Sequence, residues 1–129
     1  MSYSDGIDIT YDLTGVDFTG AAATDNAVAH GPKGLTGRVK AITCLVTTGI
    51  TVAASSINIG IVGGDLDAYA TVAMPITAAN GVIGGTDLGG TITAGVSGNL
   101  LPADTKFAIS NGGGSTAGVG NVQVVVEWS

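Results

Sequence analysis

Several segments of the chain alternate hydrophobic and polar residues, and a period of two is the pattern of a half-buried β-strand. In residues 7–13, apolar side chains on one face alternate with aspartates and a threonine on the other. Residues 56–62 place three isoleucines on one face, and residues 122–128 place three valines and a tryptophan on one face. No long apolar stripe has the 3.6-residue period of a helix. The pattern therefore predicts a protein built from strands.

The rest of the chain divides into further strands and connections. Residues 38–48 carry apolar side chains on both faces, which is typical of a strand buried on both sides or facing a partner. The predicted strands are residues 7–13 with a continuation to 18, 38–48, 56–62, 69–76 (or an Ala-rich turn there), 90–94, 106–110 and 122–128. The predicted connections are a long link or extended arm at 19–37, a loop at 79–90, a turn at 98–104 and a flexible link at 111–120. We expect an all-β fold, an antiparallel β-sandwich or jelly roll with Gly-rich loops.

The composition supports this fold class. The chain has 129 residues, of which 22 are glycine, 45% are hydrophobic and only 11% are charged. A disordered Gly-rich chain would be polar and poor in aliphatic residues, so the hydrophobic fraction disfavours disorder. The glycines lack the three-residue period of collagen, and a single glutamate with recurrent Gly and Thr disfavours a helical bundle.

The length and the charge pattern define the expected domain organisation. We expect one compact domain overall, with residues 1–35 as an acidic N-terminal strand or arm and connection, and residues 36–129 as the β-sandwich domain. Two interpretations of the acidic segment stay open: it pairs with a positive surface elsewhere, or its acids lie on solvated strand faces and turns. The acids before the first lysine are Asp5, Asp8, Asp12, Asp17 and Asp25, followed by Lys33, Arg38 and Lys40.

The net charge of −6 disfavours several classes of partner. Nucleic acid would be repelled, and the sequence contains no basic stripe that would displace counterions from phosphates. The longest charge-free stretch, residues 41–64, contains Thr, Ser and Asn that a transmembrane helix would avoid, so we expect no membrane partner. The first residues lack the basic and apolar regions of a secretory signal, which favours synthesis in a cytoplasm.

No catalytic constellation can be assembled from the candidate residues. The single cysteine, Cys44, is flanked by apolar residues and is expected to be a buried small side chain, and the single histidine, His30, lies in a predicted loop. Asp65 and Asp67 are weak candidates for a calcium site, but they lack the further oxygen ligands of such a loop, and a structural turn is favoured. We therefore expect no enzyme activity, no cofactor and no metal.

Trp128 with Tyr69 or Tyr11 has two interpretations. An exposed pair of aromatic rings would form a platform on which a sugar stacks. Because the chain has so few aromatic residues, packing in the core is the favoured alternative.

Three stretches occur in an order that resembles small virion proteins of tailed bacteriophages, of the capsid cement or head decoration type. Residues 37–43 begin a strand, and residues 59–70 give a strand followed by a Gly-Asp-x-Asp-Ala-Tyr-Ala turn. Residues 113–120 form a Gly-rich segment that leads into the last strand, 122–128. The resemblance covers about residues 36–129, and the segment before it has no counterpart.

This resemblance implies a β-sandwich or jelly-roll subunit, trimeric, on the outside of an icosahedral phage head, where it binds the major capsid protein and stabilises the shell by bridging its subunits. The expected location is the surface of the virion, after synthesis in the host cytoplasm. Deleting residues 1–23 is then expected to leave the β domain folded and to weaken capsid attachment. The candidate capsid or oligomer contacts are Asp5, Asp8, Asp12, Asp17, Arg38, Lys40, Tyr69 and Trp128. The alternative function is a receptor- or glycan-binding module of a tail fibre or host-adhesion spike.

Overall fold

The structure is a computed structural model, and it describes residues 6–19, 23–86, 93–94 and 100–129. These residues form strands and turns, with no helix among them. No helix in this part of the chain is therefore long and apolar enough to cross a membrane. The ten strands are β1 (Ile7–Asp17), β2 (Ala23–Ala29), β3 (Gly37–Thr51), β4 (Ser55–Gly60), β5 (Ala70–Met74), β6 (Val82–Thr86), β7 (Thr93–Ala94), β8 (Leu100–Leu101), β9 (Phe107–Asn111) and β10 (Ala117–Trp128).

The strands form two antiparallel sheets. The first has the order β1-β10-β3-β6, with the two-residue strand β8 also paired to β3, and the second has the order β2-β9-β4-β5-β7. When the two-residue strands β7 and β8 are set aside, the first and last strands are adjacent, and consecutive strands lie in different sheets except β4 and β5, which pair with each other. This is the order of an eight-stranded jelly roll. The predicted antiparallel all-β fold is confirmed.

The N-terminal segment is an integral strand of the first sheet. Residues of β1 pair with β10 from Ile7 opposite Trp128 to Asp17 opposite Val119, with one irregularity around Gly15. Val16 and Phe18 are buried, and the inward residues Ile9, Tyr11 and Leu13 pack against the core. Of the alternatives left open, strand or arm, the structure shows a strand for residues 7–17, so the expectation that residues 1–23 are dispensable for folding is revised.

The core lies between the sheets and follows from the alternation in the sequence. In β10 every second residue is buried, from Gly118 to Trp128. Trp128 and Tyr11 both lie against Phe107 of the second sheet, with ring centroids 6.2 and 5.3 Å from that of Phe107. Cys44 is buried as expected, and burial raises the pKa of its thiol to about 11 because the thiolate would lose its hydration.

Several predicted connections contain strands. The link at 19–37 contains β2, and the loop at 79–90 contains β6, an edge strand whose Gly84 and Gly85 pair with β3. The turn at 98–104 contains β8, of which Leu101 is buried. The link predicted at 111–120 contains an isolated bridge at Ser115 and the first residues of β10. Within it, Gly120 lies so close to Cys44 that a Cβ there would clash with its sulfur. Of the strand predicted at 90–94, only residues 93–94 are described, and they form β7.

The two ends of the sandwich differ in charge, and we name them accordingly. The charged end comprises the first residues of β1, β3 and β9, the end of β10 and the loops 30–36, 61–69 and 102–106. It holds all four basic residues of the chain, which are Lys33, Arg38, Lys40 and Lys106. The uncharged end comprises the loops 52–54, 75–81 and 112–116, which contain no Asp, Glu, Lys, Arg or His.

Candidate functional site

The uncharged end carries an aliphatic residue in a strained backbone conformation. Val52 has a φ of 72°, and the Ala53 N–H donates to the Thr51 carbonyl at 2.9 Å, so residues 51–53 form a γ-turn with a left-handed central residue. A β-branched residue rarely adopts this conformation, which costs about 1–3 kcal/mol. The Val52 side chain is 76% exposed, so no burial within the described chain offsets this cost.

A neighbouring segment holds this turn in place. The Thr116 N–H donates to the Thr51 carbonyl at 3.1 Å, and the Ser115 hydroxyl donates to the Ala53 carbonyl at 2.7 Å. Ser115 is itself buried, and its N–H donates to the Phe18 carbonyl at 3.1 Å. The turn is therefore fixed on both sides by hydrogen bonds from residues distant in the sequence.

A second exposed aliphatic residue, Ile76, lies on a loop fixed to the same strand end. Thr77 pairs with Ile50 through hydrogen bonds of 2.8 and 3.3 Å between their backbones, and the Thr77 hydroxyl donates to the Pro75 carbonyl at 2.8 Å. The Ile76 side chain is 61% exposed. Val52 and Ile76, which we call the aliphatic tips, therefore project from backbone anchored at the end of β3.

The first sheet adds an apolar pair on its outer face. Leu45 of β3 and Val82 of the edge strand β6 are directly opposite each other, and both side chains are exposed, Val82 by 65%. The loop before Val82 is held to β3, because the Asn80 N–H donates to the Val46 carbonyl at 2.7 Å and the Val46 N–H donates to the Gly81 carbonyl at 2.9 Å. Exposed aliphatic side chains thus continue from the loops onto the sheet.

At the charged end, a row of ion pairs crosses the outer face of the same sheet. Lys40 Nζ lies 3.0 Å from Asp8 Oδ2 and 3.9 Å from Glu127 Oε2, and Arg38 Nη2 lies 3.2 Å from Glu127 Oε1. The hydrogen bond and the charge of Asp8 raise the pKa of Lys40. The structure thus brings together the predicted contact residues Asp8, Arg38 and Lys40, and Asp8 pairs with a basic residue of its own chain.

Glu127 was not among the predicted contact residues, although it is the central acid of this row. Its place on the outer face follows from the alternation of β10, in which Trp128 and Val126 point inward. Its partners follow from the register alone, because Glu127 lies between Asp8 of β1 and Arg38 of β3.

The remaining acidic candidates are dispersed. Asp12 is exposed on the outer face of β1. Asp17 accepts hydrogen bonds from the N–H and hydroxyl of Thr19 at 2.9 and 2.7 Å, which lower its pKa. Asp5 lies outside the described residues.

Asp65 and Asp67 lie together in an exposed turn at the charged end. A hydrogen bond with Asp65, then desolvation, then the charge of Asp65 raise the pKa of Asp67. The turn packs tightly against Gly60, where a Cβ would clash with the backbone of Asp65 and Leu66. In the described part of the chain, these two carboxyl groups belong to no cluster of three His, Cys, Asp or Glu side chains that would hold a metal ion.

The two aromatic candidates for partner contact lie inside the molecule. Tyr69 is 5% exposed and Trp128 is 1% exposed. Neither ring is available to stack on a sugar or to contact a partner surface, so their nomination as contact residues is corrected. The favoured alternative, packing in the core, describes both.

Comparisons with known protein families, with curated proteins and with solved structures each returned no match to this chain.

Proposed function

We propose that this chain is a structural virion protein that binds the outside of an assembled phage capsid through its uncharged end and stabilises the shell by bridging capsid subunits. The observation that supports this proposal most directly is Val52, an exposed aliphatic residue held in a strained turn by hydrogen bonds from residues 115–116. Strained conformations cluster at functional sites, where the surrounding structure maintains them. A rigid apolar tip loses little conformational entropy when it inserts into a partner.

The chemistry of the uncharged end favours a protein as the partner. Charged residues are depleted at the centre of protein–protein interfaces, and the loops of this end contain none. Exposed aliphatic side chains gain free energy when a partner removes them from water, at about 25 cal/mol per Å² of apolar surface. Many viral capsid proteins have a jelly-roll fold, which is consistent with the proposal, although a fold alone does not determine function.

We further propose that the protein acts as a homotrimer in contact with the major capsid protein at the virion surface. The exposed pair Leu45 and Val82 beside edge strand β6 is a suitable contact between copies, because it is apolar and adjacent to the edge of a sheet. Light scattering on the purified protein at micromolar concentration tests this part of the proposal. We expect the mass of three chains, and the mass of one chain would contradict the trimer.

Co-sedimentation with heads of the phage that encodes the chain tests attachment. We expect the wild-type protein to sediment with heads that lack it and to raise the temperature at which those heads release their DNA, since binding only the assembled shell stabilises it by mass action. The decisive variant is Val52→Asp with Ile76→Asp, which places charges at both aliphatic tips and is expected to abolish co-sedimentation.

A matched control separates this effect from added charge in general. Val28 of edge strand β2 is also an exposed valine, and it lies toward the other end of the sandwich. Val28→Asp is expected to retain attachment, with all variants unfolding at similar temperatures. Equal binding by the double variant and the wild type would reject the uncharged end as the docking site, and absence of wild-type binding would reject the capsid function.

The alternative function, a glycan-binding module, was based on an exposed pair of aromatic rings, and the structure does not show such a pair among the residues it describes. The rings of Tyr69 and Trp128 are buried, so stacking on a sugar ring is not open to them. Any sugar recognition by this chain would have to use charge and hydrogen bonds.

A further inference from the structure

The charged end contains an open cleft between two loops. The cleft has a volume of about 290 Å³ and is lined by His30, Gly31, Lys33, Asp104 and Lys106. It lies at the opposite end of the sandwich from the aliphatic tips, because His30 to Thr36 precede β3 and Asp104 and Lys106 precede β9. It is therefore separate from the proposed docking surface, and its role does not depend on the proposed function.

The two walls of the cleft are tied to each other and to the core. The Gly34 N–H donates to Asp104 Oδ1 at 2.8 Å, and Asp104 has a left-handed backbone with a φ of 56°. Gly31 lies on the Trp128 indole so closely that a Cβ at residue 31 would clash with the ring, and the Tyr11 hydroxyl donates to the His30 carbonyl at 3.3 Å. The lining residues are thus held in place by contacts between the two loops and by contacts with Trp128 and Tyr11 of the first sheet.

The charges that line the cleft form no ion pair with the described residues of the chain. Lys33, Lys106 and Asp104 form no ion pair with any residue that the structure describes, whereas Arg38 and Lys40 are both paired with acids on the neighbouring sheet face. The chain has ten acidic and four basic residues, so pairing partners are abundant. Two of the four basic residues of this acidic protein nevertheless line one concave site, and neither is paired with an acid that the structure describes.

From this arrangement we propose that the cleft is a binding site for a small hydroxy acid, meaning a carboxylate with adjacent hydroxyl groups, of the chemical class of the acidic sugars. The ammonium groups of Lys33 and Lys106 supply donors for the carboxylate. Asp104 uses one oxygen for Gly34 and keeps the other as an acceptor, which suits a ligand hydroxyl. Inorganic phosphate carries a larger negative charge near pH 7 than a single carboxylate and would be repelled more strongly by Asp104.

Titration of the full-length protein with glucuronate, glucose and inorganic phosphate tests the proposal. Trp128 is the single tryptophan and packs under Gly31, so its fluorescence reports on the cleft, and amide shifts of Gly31 and Gly34 locate the site. We expect glucuronate to saturate with a Kd of about 1 mM, at least tenfold tighter than glucose, and to weaken in high salt.

Two variants, one with two lysines replaced and one with a single lysine replaced, provide the matched comparison. Lys33→Gln with Lys106→Gln is expected to weaken glucuronate binding at least tenfold, whereas Lys40→Gln, which removes a paired lysine, is expected to leave it unchanged. Lys33 and Lys106 are exposed and the Lys40 side chain is about one-third exposed, and thermal unfolding verifies that each variant folds. Phosphate binding as tight as that of glucuronate would overturn the assigned ligand class. No saturable change with glucuronate, or equal loss in Lys40→Gln, would overturn the site.

Discussion

The two ends of this jelly roll are built on the same strands but have different surfaces: one carries paired charges and the other carries exposed aliphatic side chains. At the charged end, Asp8, Lys40, Glu127 and Arg38 neutralise one another on the sheet surface. At the uncharged end, loops without a single ionisable side chain expose Val52 and Ile76 and hold Val52 in a strained turn. Surface ion pairs contribute little to stability, and exposed strained aliphatic residues reduce it. The two ends therefore differ in their effect on stability: the ion pairs of the charged end add little, and the strained turn of the uncharged end reduces it.

Strand β1 connects the two ends, and its removal has the largest expected effect. Deleting residues 1–17 removes Val16 and the inward residues Ile9, Tyr11 and Leu13, and it uncovers one edge of β10. Each of these side chains contributes roughly 1–3 kcal/mol, against a total of about 5–15 kcal/mol for a typical domain. We expect the truncated chain to lose cooperative thermal unfolding.

The thiol of Cys44 gives an independent measurement of this effect. It is buried and its pKa is raised to about 11, so thiol reagents at pH 8 are expected to spare it in the full chain and to label it rapidly after truncation. A truncated chain that unfolds cooperatively and protects Cys44 from the reagent would show that β1 is an accessory arm. The remaining strands would then be sufficient to maintain both ends of the sandwich.

The strained turn predicts a substitution that separates stability from attachment. Val52→Gly removes the penalty of a left-handed valine and is expected to raise the free energy of unfolding by about 1 kcal/mol, while it weakens co-sedimentation with phage heads. Val28→Gly in strand β2 is the control and is expected to lower stability by a similar amount, because glycine weakens a strand interior. Urea unfolding measures both, and a destabilised Val52→Gly would mean that the Val52 side chain packs within the chain.

A smaller effect is expected at the charged end. Arg38→Gln breaks the ion pair with Glu127, and both side chains are about one-third exposed, so we expect a loss of about 0.5 kcal/mol or less. Adding 1 M NaCl is expected to abolish the difference between variant and wild type in urea unfolding. A loss several times larger would indicate that the row of ion pairs stabilises the charged end as much as its core does.

The smallest effects are those of pH, and they occur at opposite extremes of pH for residues at the two ends of β1. Asp8 raises the pKa of Lys40 in the folded protein, so this contribution is present below the ordinary lysine pKa of 10.5 and is lost as the pH rises through the raised value. Hydrogen bonds from Thr19 lower the pKa of Asp17, so its contribution is present above 3.8 and is lost as the pH falls. We expect Lys40→Gln to flatten only the alkaline part of the stability curve.

Thr19→Val is the corresponding variant near the uncharged end, since it removes the hydroxyl donor to Asp17. It is expected to flatten only the acidic part of the curve, measured as unfolding temperature from pH 3 to pH 11. If each variant altered both limbs equally, the two sites would be coupled and the ends would not be independent.

Sequence reasoning located the strands that alternate and missed those that do not. The strict period of two in residues 7–13 and 122–128 predicted two strands, and the structure pairs them in the first sheet. Strand β6 contains two adjacent glycines and lies at a sheet edge, and β2 mixes small and polar residues without alternation, so neither carried the pattern of a half-buried strand.

The two ends could be predicted only in part. The absence of charge from 41–64 was evident, but the strain of Val52 depends on hydrogen bonds from Ser115 and Thr116, which no local pattern encodes. The pairing of Asp8 with Lys40 and the meeting of Lys33 with Lys106 across the cleft likewise depend on strand register and loop placement.

The pairing of β1 with β10 also determines when the sheet can form during synthesis. Ile7 lies opposite Trp128, so β1 leaves the ribosome well before its partner β10 and has to wait for it before the two can pair. Until then, the inward face of β1 and one edge of β3 have no neighbour. Contacts between such distant residues make folding slow, and exposed strand edges make the waiting chain prone to aggregation. The aspartates of β1 that face solvent in the folded sheet would keep that strand soluble during the delay.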